Sequence, residues 1–242
     1  MGSKYAIGVN SGTDAIKLSL KAFDIGRGDE VITAANTFVA TEGAIIELGA
    51  KPVFVDCDDT FCMNVDLVEK AITRKTKAIV PVHFTGYMTN MKKINKIANK
   101  YKLVVVEDAC QSILASQDGK IAGNWGVTGC FSLHPLKNLN VWSDGGVIIT
   151  KNSKLNSKLR LLRNHGLKSR DEVQIMGFNS RLDTIQAVVG NWLIPQTKKI
   201  ASQRIKNARY YDQSFSKISQ IKIPPRPKGM KIVYHLYVVF AD

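Results

Sequence analysis

The chain has 242 residues, of which 45% are hydrophobic and 22% are charged, as in an ordinary globular protein of one or two domains. No apolar run reaches the roughly 18 residues of a membrane-spanning helix, and residues 1–5 lack a signal-peptide pattern, so we expect a cytoplasmic protein with no membrane partner. The four cysteines show neither zinc nor redox spacing, which predicts reduced thiols and no metal site.

The formal net charge of +14 raises the question of nucleic-acid binding. The basic residues are spread over several helix-like faces, such as 92–100 and 151–158. Nucleic-acid modules interleave basic and aromatic residues in one patch, and the sequence contains no such patch. We therefore predict that the surplus charge attracts anionic small molecules, and that nucleic acid is not a partner.

Short apolar runs alternate with amphipathic runs along the chain. Strands are predicted at residues 5–9, 31–34, 52–55, 78–83, 103–107, 129–132 and 146–150. Helices are predicted at residues 14–23, 40–48, 65–72, 92–101, 154–164 and 183–216. This alternation predicts an α/β fold, with three α/β/α layers around a mostly parallel sheet.

A proline-rich break at residues 224–229 follows the long helix and precedes a strand-like run at 231–240. The break predicts a domain boundary, because proline ends regular structure. We expect a large domain over 1–190, a connecting helix over 191–220, and the beginning of a truncated small domain over 221–242.

The segment around residues 104–108 is the most informative one. A run of three valines, Val104 to Val106, ends in Glu107 and Asp108, and ligands of parallel sheets bind beyond the carboxyl ends of strands. Lys137 follows the next predicted strand. Enzymes that use pyridoxal phosphate need such a pair, a carboxylate for the pyridine nitrogen and a lysine for the Schiff base. Neighbouring strand residues alternate faces, so Glu107 should point away from Asp108.

A second segment, Ser11-Gly12-Thr13, lies between the first predicted strand and the first predicted helix. Free N–H groups at a helix N-terminus attract a phosphate group, and glycine lets the backbone approach it closely. A simple helix cap is the alternative interpretation, and it is compatible with phosphate binding.

Together these segments resemble the DegT-like sugar aminotransferases, which are pyridoxal phosphate enzymes of the aspartate-aminotransferase fold. The resemblance extends over residues 4–240. Its matching segments are 9–15, 28–32, 36–41, 107–111, 131–138 and 177–181. Each segment is short, but their order and spacing are specific. Members of the family have some tens of residues before the Ser-Gly-Thr segment and a full small domain, so the resemblance also predicts a truncated chain.

The resemblance implies a role for each candidate residue. Lys137 is the catalytic lysine, and the cofactor-binding residues are Ser11, Gly12, Thr13, Phe38, Asp108, Gln111, Ser132 and Asn179. Of these, Phe38 would stack on the pyridine ring, unless it is a core residue, and Gln111 would reach the phenolic oxygen, unless it is merely solvated. Asn179 would reach the cofactor of a neighbouring subunit, which implies a homodimer with shared sites. His83, His134 and His165 have no assigned step.

The activity implied by the resemblance is transfer of an amino group from an amino acid to a keto-sugar carried on a nucleotide. The family resemblance implies glutamate as the amino-acid donor. Two alternatives stay open. One is a sugar dehydratase of the same family, although such dehydratases depart from lysine at position 137. The other is a catalytically inert or regulatory homologue, which truncation keeps in consideration.

Overall fold

The structure, a computed structural model, describes residues 1–241. Its strands are β1 (Tyr5–Val9), β2 (Glu30–Ala34), β3 (Lys51–Val55), β4 (Thr76–Val80), β5 (Val104–Asp108), β6 (Ser116–Gln117), β7 (Lys120–Ile121), β8 (Thr128–Ser132), β9 (Gly146–Thr150), β10 (Ile221–Lys222), β11 (Met230–Lys231) and β12 (Phe240–Ala241). Its helices are α1 (Gly12–Lys21), α2 (Val39–Ile46), α3 (Val65–Val68), α4 (Met91–Tyr101), α5 (Ser153–Leu162), α6 (Thr184–Leu193) and α7 (Thr197–Phe215), with 3₁₀ turns at Glu69–Ala71, Phe84–Gly86 and Ile194–Gln196.

Seven strands form the central sheet, in the order β1-β9-β8-β5-β4-β2-β3. Strand β9 pairs antiparallel with both of its neighbours, and every other pair in this sheet is parallel. The predicted mostly parallel sheet is therefore confirmed. In such a sheet the carboxyl ends of β2, β4, β5 and β8 lie at one edge, where a ligand site is expected.

Helices cover both faces of this sheet, because successive strand residues point to opposite sides. Val106 packs in the cluster of side chains that contains α1, α2 and α5. Its neighbour Val105 packs in the cluster that contains α3 and α4, together with Ala201 of α7. The three predicted α/β/α layers are thus present. No helix within residues 1–241 is both long and apolar enough to cross a membrane.

The predicted helix over 183–216 is two helices, α6 and α7, and not one. A 3₁₀ turn with Pro195 near its start separates them. Proline lacks the N–H group that an α-helix needs at an interior position, so the ladder of hydrogen bonds stops there. Apart from this helix and residues 231–240, the predicted elements begin and end within three residues of the observed ones, with 65–72 finishing as a 3₁₀ turn.

The predicted strand over 231–240 is wrong for most of its length. Only Met230–Lys231 and Phe240–Ala241 are extended, and the residues between them bond to loops. The Val233 N–H group donates to the Gly86 carbonyl at 3.1 Å, and Tyr234 has a φ of 49°, which interrupts any strand. Ile232 and Tyr234 pack in one hydrophobic cluster with Cys62, Tyr87 and Ala208. The proposed domain limits stay a prediction.

Candidate active site

A cavity of about 520 Å³ opens at the carboxyl ends of β2, β5 and β8. Most of the residues predicted from the sequence for the site line this cavity, namely Ser11, Gly12, Thr13, Phe38, Asp108, Gln111, Ser132 and Lys137. Asn179 does not line it. That residue is exposed and pairs as an isolated bridge with Asn164.

Asp108 is the last residue of β5 and is buried. Its carboxylate accepts a hydrogen bond from the Thr41 hydroxyl at 2.7 Å and another from the Cys110 N–H group at 3.1 Å. An ionised carboxylate has about four acceptor positions, so Asp108 can still accept a hydrogen bond from a cationic N–H group in the cavity. Its place at the end of a parallel strand is the one that the sequence predicted.

Glu107 points to the other face of β5, as predicted. Its fully buried carboxylate accepts hydrogen bonds from the N–H groups of Gly123, Trp125 and Gly126, at 2.6–2.8 Å. The fourth partner is His83 Nε2, at 3.0 Å. Because His83 Nδ1 accepts from the Thr89 N–H group, the ring proton lies on Nε2 and is donated to Glu107. His83 is therefore a structural residue that fixes the end of β5.

The N-terminus of α1 points at the same cavity. The Ser11 hydroxyl accepts from the Asp14 N–H group at 3.1 Å and caps the helix. The next two residues, Gly12 and Thr13, line the cavity at the positive end of the helix dipole. A Cβ atom on Gly12 would lie 2.7 Å from Ser132 Cβ and 2.9 Å from Cys110 Sγ. Glycine is therefore required here by close approach. The helix cap is therefore observed, and the phosphate seat at the same residues stays a prediction.

Lys137 follows β8 in a loop that is held by its backbone. The Lys137 N–H group donates to the His134 carbonyl at 2.8 Å, and the Lys137 carbonyl accepts from Asn140 Nδ2 at 3.0 Å. The next residue, Asn138, is buried and donates from Nδ2 to the Val233 carbonyl at 3.0 Å. These bonds fix the position of Cα, while the side chain of Lys137 lines the cavity. Such a lysine is positioned to exchange a proton with a bound molecule.

Gln111 and Phe38 lie on two further walls. Gln111 Oε1 accepts from the Thr85 N–H group at 2.7 Å. Within residues 1–241 its Nε2 amide has no hydrogen-bond partner, so it can donate to a ligand. Phe38 precedes α2 and is 66% exposed at the cavity mouth. It is not a core residue, and so the alternative interpretation of Phe38 is wrong for the described chain. Its exposed ring is available to a planar ligand.

Several lining residues were missed in the sequence. Thr41, Cys110, Asp144 and His235 all line the cavity. Thr41 lies one turn beyond Phe38, in the segment 36–41 that resembles the family. The resemblance assigned no role to Thr41 itself. Burial, and then the negative charge of Asp108, raise the pKa of the Cys110 thiol well above its usual range, so that thiol stays protonated and is not a nucleophile. His235 carries no sequence signal, because its position depends on the fold of residues 232–236.

Comparison with known proteins shows which family the chain resembles in sequence and in fold. The family model of the DegT/DnrJ/EryC1/StrS aminotransferase family matches residues 1–242. The chain belongs to this family. A "pleiotropic regulatory protein" of Geobacillus stearothermophilus is 43% identical over 99% of the chain and 65% of its own length. A UDP-N-acetyl-3-dehydro-alpha-D-glucosamine 3-aminotransferase of Acidithiobacillus ferrooxidans is 41% identical, over 98% of the chain and 64% of its own length.

A solved structure is also similar to this member of the DegT/DnrJ/EryC1/StrS family. NtdA of Bacillus subtilis, described with bound cofactor PMP, aligns with a TM-score of 0.90 and 35% identity, over 99% of the chain and 55% of its own length. The predicted family and fold are therefore confirmed. The chain spans about 65% of the length of the curated relatives above.

We call the Glu107 carboxylate and its four hydrogen-bond donors the Glu107 cage, and this cage gives a stability prediction for the family member. Glu107→Leu should lower the free energy of unfolding by on the order of 4 kcal/mol, because three backbone N–H groups and the buried His83 lose their acceptor. Glu172→Leu is the matched control, since Glu172 makes only an exposed pair with Lys168 and should change stability by less than about 1 kcal/mol. Urea unfolding measures both values. Equal losses in the two variants would show that the cage is not stabilising.

Proposed function

We propose that the protein is a cytoplasmic aminotransferase that uses pyridoxal phosphate to move an amino group from glutamate to a keto-sugar carried on a nucleoside diphosphate. One observation carries this proposal. The Asp108 carboxylate, the Lys137 side chain and the N-terminus of α1 line one cavity. An acceptor for a pyridinium, an amine and a phosphate seat are the three features that this cofactor requires.

The residues present fit the cofactor. Gly12, Thr13 and the hydroxyls of Ser11 and Ser132 would hold its phosphate, since all four residues line the cavity at the N-terminus of α1 or directly beside it. When bound, pyridoxal phosphate supplies the electron sink that amino-group transfer needs. Asp108 would hold the ring nitrogen protonated from a position fixed by Thr41 and Cys110. In one half-reaction the Lys137 amine would take a proton from the α-carbon of glutamate, and in the other it would deliver a proton to the ketone carbon of the sugar.

The named relatives support the substrate class. The Acidithiobacillus protein is named for a UDP-linked 3-dehydro sugar, and the Bacillus protein was solved with PMP. The Geobacillus name points instead to regulation, which is the inert or regulatory alternative. Lys137 in the cavity favours chemistry over that alternative. It also favours transamination over sugar dehydration, since the resembling dehydratases depart from lysine at this position.

Isotope transfer tests the proposal. The full chain is incubated with pyridoxal phosphate, ¹⁵N-glutamate and UDP-N-acetyl-3-dehydroglucosamine. We expect the sugar product to carry ¹⁵N, detected by mass spectrometry, together with 2-oxoglutarate in equal amount. A panel of other nucleotide-linked keto-sugars covers the case of a different sugar. If no member of the panel gains ¹⁵N while the protein binds pyridoxal phosphate, the regulatory alternative replaces the proposal.

The proposed partner in assembly is a second copy of the chain. Ile185, Val188 and Trp192 are exposed on one face of α6, since residues three, four and seven apart share a helix face. Trp142 is 78% exposed and is tied to this helix, because its N–H group donates to Gln186 Oε1 at 2.9 Å. We call these four side chains the α6 patch.

The position of the α6 patch supports a dimer rather than another partner. A contiguous exposed apolar surface marks an interaction site. The mouth of the cavity carries two more exposed apolar side chains, Phe38 and Leu136. Asn179 is exposed and away from its own cavity, which fits the role that the family resemblance implies at the partner's cofactor. A two-fold dimer would cover both cavities in the same way.

Mixing two inactive variants tests the shared site. Lys137→Ala chains and Asn179→Ala chains are each expected to be inactive alone. A heterodimer would contain one site with both defects and one with neither. In an equal mixture half of the dimers are heterodimers, so about a quarter of the activity should return. Activity is measured after co-refolding, and tagged subunits show that heterodimers form. If heterodimers form and stay inactive, Asn179 does not serve the neighbouring site.

A further inference from the structure

His235 lines the same cavity as Lys137, yet the proposed cofactor contacts do not use it. Its Nδ1 atom is buried without a hydrogen-bond partner among residues 1–241. An unpartnered buried N–H group costs more than an unpartnered buried lone pair. The ring proton therefore belongs on Nε2, which is the more accessible nitrogen. The ring thus offers the cavity one hydrogen-bond donor.

The backbone holds this ring firmly in place. The Tyr234 and His235 carbonyls accept from Arg204 at 3.1 and 3.2 Å. The next residue, Leu236, donates its N–H group to the Thr85 carbonyl at 3.3 Å. Both Tyr234 and Thr85 have positive φ values, of 49° and 55°. Residues in this sparsely populated region persist where surrounding bonds impose them, and they concentrate at functional sites.

A salt bridge anchors the same segment from outside the cavity. Arg226 donates to both carboxylate oxygens of Asp212 on α7, at 2.6 and 3.1 Å. Its guanidinium also lies over the rings of Tyr87, Tyr234 and Tyr237, 5.4–5.7 Å from their centroids. Cation–π contacts of this kind add to the salt bridge. Because Tyr234 precedes His235, this cluster fixes the chain next to the ring.

The surroundings of His235 keep its ring neutral. Burial lowers the pKa of His235 to about 4, and the positive charges nearby act in the same direction. The charged and titratable groups that lower this pKa or line the same cavity are Lys137, Arg204, His134, Asp108, Asp144 and Cys110. A neutral ring is a poor partner for a phosphate or a carboxylate, which prefer a cation. It suits an uncharged oxygen atom.

We propose that His235 determines sugar specificity by donating a hydrogen bond from Nε2 to a hydroxyl or ketone oxygen of the keto-sugar, beside Lys137. This inference rests on the proposed function, because it assumes that a sugar occupies the cavity. His235 then matters for the half of the reaction that uses the sugar. The half that uses glutamate should not depend on it.

The test compares His235→Leu with His235→Gln, which keeps an N–H donor on a side chain of similar reach. In the full chain with pyridoxal phosphate, the leucine variant should show a KM for the UDP-linked keto-sugar raised roughly tenfold, as for one lost hydrogen bond. The glutamine variant should stay within about threefold of the unchanged protein. The glutamate half-reaction, followed by visible absorbance, should be equal in all three.

Binding without turnover gives a second measurement. In calorimetry, UDP-N-acetylglucosamine should bind the leucine variant roughly tenfold more weakly, whereas UDP alone should bind both proteins equally. The ratio of KM values between leucine variant and unchanged protein should stay constant from about pH 5.5 to pH 8, since a neutral His235 does not titrate there. A ratio that falls as pH rises through about 6.5 would instead indicate a charged imidazole bound to an anion.

The outcomes separate this inference from the proposed function. If the unchanged protein aminates no sugar, the proposed function fails. If it aminates the sugar and the leucine variant keeps the same sugar KM and the same affinity, His235 has no role in specificity. Equal loss in both half-reactions would show a structural role and would also overturn the inference. Should the leucine variant fail to fold, His235→Ala replaces it in the same comparison.

Discussion

Replacing Lys137 by alanine should abolish amino-group transfer while leaving the fold intact. The side chain is proposed to take a proton from the α-carbon of glutamate and to deliver one to the ketone carbon of the sugar. Losing such a group costs on the order of a thousandfold or more in rate. The loop itself is held by backbone bonds at Lys137 and by Asn138. The free energy of unfolding should therefore change by less than about 0.5 kcal/mol.

The measurement pairs turnover with thermal unfolding. Lys168→Ala is the matched control, because Lys168 is an exposed lysine paired only with Glu172, and it should keep nearly full activity. A Lys137→Ala protein that is folded and retains more than about a tenth of the rate would exclude Lys137 as the catalytic lysine. A protein that fails to unfold cooperatively would instead point to a structural role.

Replacing Asp108 by asparagine should lower the rate about a hundredfold, a loss of about 3 kcal/mol of transition-state stabilisation. The substitution removes the charge and keeps the shape. The amide oxygen can accept from the Cys110 N–H group, and the amide N–H can donate to the Thr41 hydroxyl once that hydroxyl rotates. Cofactor binding should largely remain, because the substitution leaves the proposed phosphate seat at α1 unchanged.

Asp144→Asn is the control for charge in the cavity, since Asp144 is exposed and lines the same space. Its rate should change less than about threefold, because solvent screens an exposed charge. Single-turnover kinetics with glutamate measures both variants. Near-normal turnover in Asp108→Asn would mean that the carboxylate is only structural. Equal losses of rate in the two variants would mean that the position of Asp108 in the cavity does not matter for the reaction.

Much of the site follows from local rules that a sequence displays. Residues on a strand alternate faces, and so Asp108 enters the cavity while Glu107 turns to the buried cage. Gly12 lies between two hydroxyl residues, and this pattern predicts the N-terminus of α1. The close contact with Ser132 explains why the residue is glycine. Both inferences needed only neighbouring residues, whereas the contact between Gly12 and Ser132 is visible only in the fold.

Other features depend on contacts between distant parts of the chain. The apolar run at 231–240 has strand composition, but Gly86 and Asn138 satisfy its backbone groups, so it forms a loop. His235 reaches the cavity only because of that loop. Thr41 belongs to α2 and meets Asp108 across 67 residues of sequence. The hydrophobic periodicity of a sequence does not predict such long-range contacts, since it describes one helix or strand at a time.

The central claim is that Lys137 and Asp108 form a pyridoxal phosphate site, and chemical trapping tests it most directly. The full chain is mixed with pyridoxal phosphate, and borohydride then reduces the bond between the cofactor and the lysine. Peptide mapping by mass spectrometry should find one reduced pyridoxyl group per chain, on Lys137, with visible absorbance lost in parallel. A label spread over surface lysines, or fixed on a single lysine other than Lys137, would contradict the account.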